Sequence, residues 1–415
     1  MKAKEKRASL SKITSFEVDR PFEKQNSDSK RINYKEKIRA FRLARFYRAI
    51  LFVLIVFGVG AAFYLQWRNK IYSENILIAS TDIRIVSGTT IKNLGGYILQ
   101  YSKDGISLTD DKGAAVWNVT YEMQEPRIAI CQNTVAIADY NGSTIYILDT
   151  QKKLGEINTN LPIRAFDVAA DGLVLVTLDD GNSTWVNLYL ADGTEISKYR
   201  TSMSDSGYPV GISVSPNGKL VGISFFSVAG DTPSSHIAFF NFGPVGQNAN
   251  NLMSGYNYAN VIAPYLKFMN ADTAFAVSDD RIMFFFGNEK PVSIAEILLE
   301  DKIRGIYSNE DYVGLVFHAS GETLYRGEVL YRLDIYDKKG ALILSKDFDF
   351  EYNEIVFTKE SFIIYNELDL LICNISGTER YNGKLDKVTT LFIPSGSINR
   401  YIAVTTDSID ILEFK

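Results

Sequence analysis

The sequence predicts an all-β protein, an eight-bladed β-propeller preceded by one transmembrane helix. Three observations point to it. Residues 49–67 (AILFVLIVFGVGAAFYLQW) hold no charge and stand apart from everything after them. Beyond Glu74 the texture changes to short runs rich in Tyr, Phe, Val and Ile, punctuated by Asp-Gly, Asn-Gly and Gly-Asn turns, with almost no helical periodicity. Within that region, pairs of apolar runs joined by a short polar turn recur eight times.

Residues 1–31 are polar, charged and aperiodic, a composition that predicts a disordered tail. From residue 32 to 48 cations recur every two to four positions among Ile38, Phe41, Leu43 and Phe46, which predicts a basic juxtamembrane helix. The span of 49–67 follows. Nineteen residues at ~1.5 Å each give about 28 Å, close to the ~30 Å hydrocarbon core of a bilayer. Eight cations lie between Lys30 and Arg48 against the single Glu36, while Arg68 and Lys70 alone stand near the far end. That asymmetry predicts a cytoplasmic N-terminus and an extracellular C-terminal domain, an uncleaved anchor in the cell membrane. A cleavable signal peptide has a shorter leader and a shorter apolar core than this. Gly58 and Ala62 form a small-xxx-small pair on the span.

The extracytoplasmic domain, 74–415, is read from its repeats. The paired runs begin at Tyr97, Val135, Leu173, Val221, Ala274, Val313, Phe362 and Tyr401, spaced by 38 to 53 residues. Most follow another apolar run and several precede a fourth. Four strands per ~40-residue unit is the blade of a propeller, and blades that cannot bury both faces alone must stack into a ring. The last unit lacks a fourth strand. The strand-like sequence from Glu74 to Gly88 is therefore expected to complete it and close the ring. Seven blades is the alternative, because the first is poorly marked. Residues 292–303 are the one stretch where a helix competes with a strand.

The turn after the third strand carries a recurring Asp/Gly signature in TDDKGAAVW, YLADGTEI and IYDKKGALI. It resembles the repeats of quinoprotein-like and WD40-like propellers, and Asp110, Gly113 and Trp117 fit it best. The chain as a whole resembles a family of membrane-anchored propeller proteins of Gram-positive Clostridia. That family has no assigned activity, so the resemblance implies the architecture and no catalytic role. It does not imply the quinone, because no cluster of cofactor ligands is identifiable.

Charge and composition exclude several functions. The chain carries a net −5, but residues 1–48 carry +9, leaving −14 for the rest. An acidic outer domain argues against nucleic acid as a partner, and the basic arm suits anionic inner-leaflet lipids. Cys131 and Cys373 both sit in apolar runs and read as buried hydrophobes rather than a disulfide. Only two histidines, His236 and His318, are present, which weakens any His-ligated metal or His-dependent triad. No calcium loop, nucleophile elbow, phosphate loop or CxxC motif occurs. The carboxylate pairs Asp179-Asp180, Asp279-Asp280 and Glu310-Asp311 lie in turns, with nothing to place them across a cleft.

What remains is a binding surface. Turns between strands two and three share one face of a propeller with the connectors between blades. The long polar segments 201–208, 228–235, 243–258 and 318–327 are expected there, presenting Tyr208, Tyr256, Tyr258 and Tyr325 to a partner. Arg127, Arg164 and Arg304 open inner strands near the channel mouth, where they would either ring an anionic ligand or form inter-blade ion pairs. The expected role is a non-enzymatic, membrane-tethered scaffold or receptor for an envelope protein or polymer. The alternatives are an extracytoplasmic enzyme acting on carbohydrates and a transmembrane signalling component.

Overall fold

The computed structural model describes residues 34–229, 231–249, 251–318, 330–397 and 399–415. The expected disordered tail of 1–31 lies outside them. The chain divides into two units, Met1–Arg68 and Asn69–Lys415.

In the first unit the basic segment and the apolar span form one uninterrupted helix, Tyr34–Arg68. No proline interrupts it, and Leu, Ala, Phe and Arg dominate its sequence. Its apolar side chains cover every side of the cylinder; Phe52, Phe57, Val59 and Phe63 are all exposed. Over Ile38–Gln66 it is long and apolar enough to cross a membrane, by length and composition. A helix that is hydrophobic all round needs an apolar surrounding.

The second unit is a ring of eight antiparallel four-stranded sheets, seven of them in consecutive chain order and one joining the first strand of the unit to its last three. The seven-bladed alternative is therefore excluded. Blades 1 to 7 span residues 90–120, 126–158, 163–201, 208–259, 265–298, 303–348 and 354–384. Blade 8 combines 389–414 with Asn75–Asp82, the strand that follows the first unit. Residues 292–303 also resolve in favour of β structure. Val292–Leu298 is the fourth strand of blade 5, alternating exposed Ile294 with Ala295 and Ile297 packed toward Phe284 and Tyr336.

The pairing of apolar runs in the sequence has a simple cause. Second and third strands are covered on both faces by adjacent blades, so Thr273–Val277 and Ser361–Tyr365 are buried at every position. A strand buried on both sides needs continuous apolar sequence. Fourth strands have one face at the rim and alternate instead, as Ala115–Thr120 does.

Eight apolar clusters fill the eight blade boundaries. The one joining blades 7 and 8 holds the closure. Asn75–Asp82 pairs antiparallel with Ser408–Phe414. Phe414, fully buried, meets Tyr381 at 4.8 Å and Tyr401 at 5.2 Å between ring centroids. The linker ahead of the closing strand is held as well. Tyr72 N donates to Arg380 O at 2.6 Å, Ser73 N donates to Lys415 O at 2.8 Å, and the Arg380 guanidinium lies 4.6 Å above the Tyr72 ring. Both ends of the ring thus meet in one aromatic cluster. Phe414→Ala should destabilise the protein by about 3–5 kcal/mol, as large cavities in fixed cores do. Urea unfolding of the variant checks this, and limited proteolysis should then cut first within blade 8.

Candidate functional site

Two sets of connections define two faces. Face A carries the turns between strands 1 and 2 and between strands 3 and 4. Face B carries the turns between strands 2 and 3 and the connectors between blades. The Asp/Gly signature builds the 3–4 turns of face A. Asp110 Oδ1 accepts hydrogen bonds from Lys112 N at 2.9 Å and Ala114 N at 2.8 Å, while Gly113 takes φ +77°, a conformation few other residues tolerate. Asp337 repeats this with Lys339 N and Ala341 N.

On face A the central channel is bridged. Gln132, in the 1–2 turn of blade 2, reaches Glu310 in the corresponding turn of blade 6, four blades away around the ring, at 3.4 Å. Asp167 stitches the inner strands together nearby. Its carboxylate accepts from Ser213 Oγ at 2.8 Å and Val214 N at 2.9 Å, and Ser213 Oγ in turn accepts from Phe268 N at 3.0 Å. Burial pushes the Asp167 carboxyl up, against the pull of these hydrogen bonds. Further along the channel, Lys92 of blade 1 pairs with Glu354 of blade 7 at 2.5 Å.

A cavity of about 600 Å³ lies between the inner strands of blades 5 and 6, lined by Ile262, Pro264, Tyr265, Asp279, Arg304 and Ile306 among others. Its size falls within the ~300–1,000 Å³ of small-molecule sites. Arg304 is exposed, and among the described residues no hydrogen bond or ion pair engages its guanidinium. Behind it stands an aromatic group. Tyr331 and Tyr352 meet edge to face at 5.1 Å, Tyr352 meets Tyr307 at 6.1 Å, and Tyr331 OH donates to Glu351 at 2.6 Å. Burial and the Glu351 carboxylate push the Tyr331 hydroxyl up to about 12, and the positive charge of Arg304 pulls it the other way. Burial likewise raises Tyr265 to about 12. Both phenols stay neutral at physiological pH; Tyr265 lines the cavity, while Tyr331 belongs to the cluster between blades 6 and 7.

The two other arginines expected at the mouth are already engaged. Arg127 lies 4.1 Å over the Tyr140 ring and pairs with Glu125 at 2.6 Å. Arg164 lies 5.4 Å from the same ring, donates to Tyr140 OH at 3.0 Å, and is paired with Asp179 and Asn141. Tyr140 is thus clamped between guanidiniums from blades 2 and 3. The three arginines do not converge on one anion: two form this clamp, and Arg304 stands apart at blade 6.

The expected tyrosines separate in the same way. Tyr208 opens the inner strand of blade 4 on face B and is exposed. Tyr256 and Tyr258 are a correction: they belong to a strand, Leu252–Ala259, not to an exposed insertion. Tyr256 packs 5.3 Å from Phe285 of blade 5, donates to Pro291 O at 3.2 Å and accepts from Ser293 N at 3.1 Å. Tyr258 is half-buried at the same boundary, its hydroxyl pushed up to about 12 by burial. Alternating Tyr in a sequence looks the same whether it faces a partner or the next blade. Tyr325 lies outside the described residues, as does nearly all of 318–327.

Two of the long segments are also revised. Segment 228–235 is the tip of a hairpin with two ten-residue strands, Leu220–Ala229 and Thr232–Asn241, so it extends the blade rather than looping from it. Segment 243–251 joins strands 3 and 4 and therefore lies on face A, opposite the expected side; it contains one 3₁₀ turn, Gly246–Ala249. The cavity residues Ile262, Pro264 and Tyr265 were not legible as a site; the proline inside a blade connector was their only signal.

Carboxylates that sit side by side have structural partners: Asp179 binds Arg164, Asp280 binds Arg281 at 2.7 Å, and Asp311 binds Lys338 at 3.2 Å. Both cysteines are free, Cys131 half-buried in blade 2 and Cys373 buried in blade 7, with burial raising their thiols to about 11 and about 12. They are inert small hydrophobes.

The geometry defines a class, an eight-bladed β-propeller preceded by an apolar helix, with its channel bridged at one face and a cavity at the other. Residues 68–414 match the model described as "Family of unknown function (DUF5711)", and the chain belongs to that family. No curated protein matches it. Among solved structures it is similar to Saccharomyces cerevisiae Sqt1, at 11% identity and TM-score 0.50 over 83% of this chain and 100% of that one. It is also similar to a eukaryotic initiation factor, at 13% identity and TM-score 0.50 over 80% and 87%. BamB from Moraxella catarrhalis gives 13% identity and TM-score 0.47 over 82% and 100%. At such identities the likeness shows the propeller fold alone.

The clamp on Tyr140 makes a pH prediction. Arg164 holds the Asp179 carboxyl below the ordinary carboxylate range. The stability it supplies is therefore present above that range and lost as pH falls through the lowered value. Asp179→Asn should lower the melting temperature by about 1 °C at pH 7, and the difference from wild type should shrink as the pH falls, as calorimetry across an acid pH series will show.

Proposed function

We propose that this protein is a single-pass membrane-anchored scaffold or receptor that holds its propeller outside the cytoplasm and binds another envelope protein through face B. The observation that carries the reading is the face B cavity, where the exposed guanidinium of Arg304 stands among apolar side chains and the ring of Tyr265. An exposed arginine beside aromatic walls is the composition of a protein-binding hot spot. Such a surface suits a partner segment that brings an apolar side chain together with a carboxylate. Tyr208, on the neighbouring blade 4, extends the same face. Arg127 and Arg164 contribute by holding Tyr140 rigid at the rim.

The orientation rests on the basic segment before the apolar helix, whose cations favour the cytoplasmic leaflet and its anionic lipids. Residues 1–31 would then lie in the cytoplasm and 74–415 outside it. The acidic outer domain suits protein rather than nucleic acid.

Proximity labelling from the propeller in intact cells tests this reading. A small set of envelope proteins should be labelled by the wild-type protein and lost with Arg304→Glu, while the melting temperature stays within about 1 °C. An Arg304→Glu profile identical to wild type would remove face B as the docking surface. Labelling of cytoplasmic proteins instead would reverse the topology.

A further inference from the structure

One fourth-strand position recurs in blades 1 to 7 and is filled differently in one of them. In blade 1, Leu108 pairs with Trp117 just ahead of the bulge in the fourth strand. The Trp117 indole crosses to blade 2, where Nε1–H donates to Asp149 O at 2.8 Å. The same register in blades 2 to 7 holds Gly155, Ser197, Ser254, Ala295, Leu344 and Tyr381. Blades 1, 6 and 7 therefore fill the boundary with a large side chain.

Where the residue is small, the next blade's 3–4 connection moves in to fill the space. A Cβ on Gly155 would lie 1.9 Å from Ala191 O of blade 3. The Ala295 methyl sits 2.7 Å from where Gly340 of blade 6 would carry a Cβ. Ser254 Oγ donates to Pro291 O of blade 5 at 2.6 Å.

Between blades 3 and 4 the described residues fill the space only in part: Phe242 of the next blade's connection packs against the boundary cluster, and a cavity remains beside it. Ser197 is small, and blade 4 replaces the tight Asp/Gly turn with the longer connection 242–251. A cavity of about 220 Å³ is left, lined by Leu175, Leu188, Val221 and Phe240, with Phe242 and Asn251 from the long connection. The strand register makes Leu175, Leu188, Val221 and Phe240 the counterparts of Leu99, Leu108, Val135 and Leu148. Those four residues share a cluster with Trp117. The cavity is a tryptophan socket without its tryptophan. Tyr199 adds a further aromatic wall, its ring 6.5 Å from Phe240 and its hydroxyl held 2.6 Å from Ser206 Oγ.

We propose that this socket is a binding site for a small planar aromatic ligand of the indole class, independent of the face B surface. Its volume exceeds the ~150 Å³ of a dry apolar cavity that admits benzene and falls below the ~300 Å³ at which pockets begin to take drug-sized ligands. One or two fused rings fit that window. Phe240, Phe242 and Tyr199 supply edge and face contacts for a ring, and Ser197 Oγ and Asn251 give polar atoms for a single ring N–H or O–H.

Indole itself is the probe. The full chain in lipid nanodiscs is titrated with indole, using empty nanodiscs as the reference for partitioning into lipid, and read by saturation-transfer NMR and thermal unfolding. The wild-type protein should bind saturably and gain melting temperature with indole concentration. Ser197→Trp, which rebuilds the blade 1 solution, should weaken indole binding at least tenfold and melt no lower than wild type. Ser197→Leu fills the socket with a smaller side chain and should also weaken binding, so the test stands even where the tryptophan variant fails to fold. Wild-type signal no greater than that of empty nanodiscs, or folded Ser197 variants that bind indole as wild type does, would overturn the proposal.

Discussion

The structure depends on one constraint: the second and third strands of each blade are apolar on both faces, so no blade is stable without a neighbour on each side. A linear stack would leave two such faces in water. Eight boundaries, each filled by its own apolar cluster, remove both only if the ring closes. Closure falls to Asn75–Asp82, which hydrogen-bonds to the last strand of the chain, and to the aromatic cluster around Phe414 that seals it. Binding the first and last strands of the ring into one sheet makes the eighth blade as strong as the contacts of two distant segments allow.

The same constraint explains what could be read from the sequence. Runs such as VAIADY and TIYILD are visible because double-sided burial forbids polar interruptions, and their eightfold recurrence counts the blades. The surplus strand-like sequence after Glu74 was legible as the strand that closes the ring, and it pairs with Ser408–Phe414. Less was legible at the surface. Tyr208 and Tyr256 both lie in alternating strands, yet one is exposed and the other is bonded to Pro291 of the next blade. Which boundary a fourth-strand side chain faces depends on bulge position, and composition does not encode that. The segment 243–251 looked like an insertion on the binding face, but strand order puts it on the other one. Arg127, Arg164 and Arg304 were legible as three arginines opening inner strands near the mouth; that Tyr140 engages only the first two was not.

Variation among blades then becomes informative, because all eight are built on one plan. Trp117, Leu344 and Tyr381 fill their boundaries themselves, Gly155 and Ala295 yield to a neighbouring turn, and a cavity remains beside Ser197. On face B, two of the three mouth arginines are neutralised and Arg304 alone presents its charge beside an open cavity. Departures from the repeat, rather than the repeat itself, mark the places where this propeller can recognise something.

Native-state hydrogen exchange of the full-length protein tests the closed ring most directly, because amides in one cooperative unit open together. The account predicts that amides of Asn75–Asp82 are as protected as those of Ser408–Phe414 and that both segments lose protection at the same denaturant concentration. Rapid exchange across Asn75–Asp82 while Ser408–Phe414 stays protected would contradict it, and would leave blade 8 with three strands and the ring open.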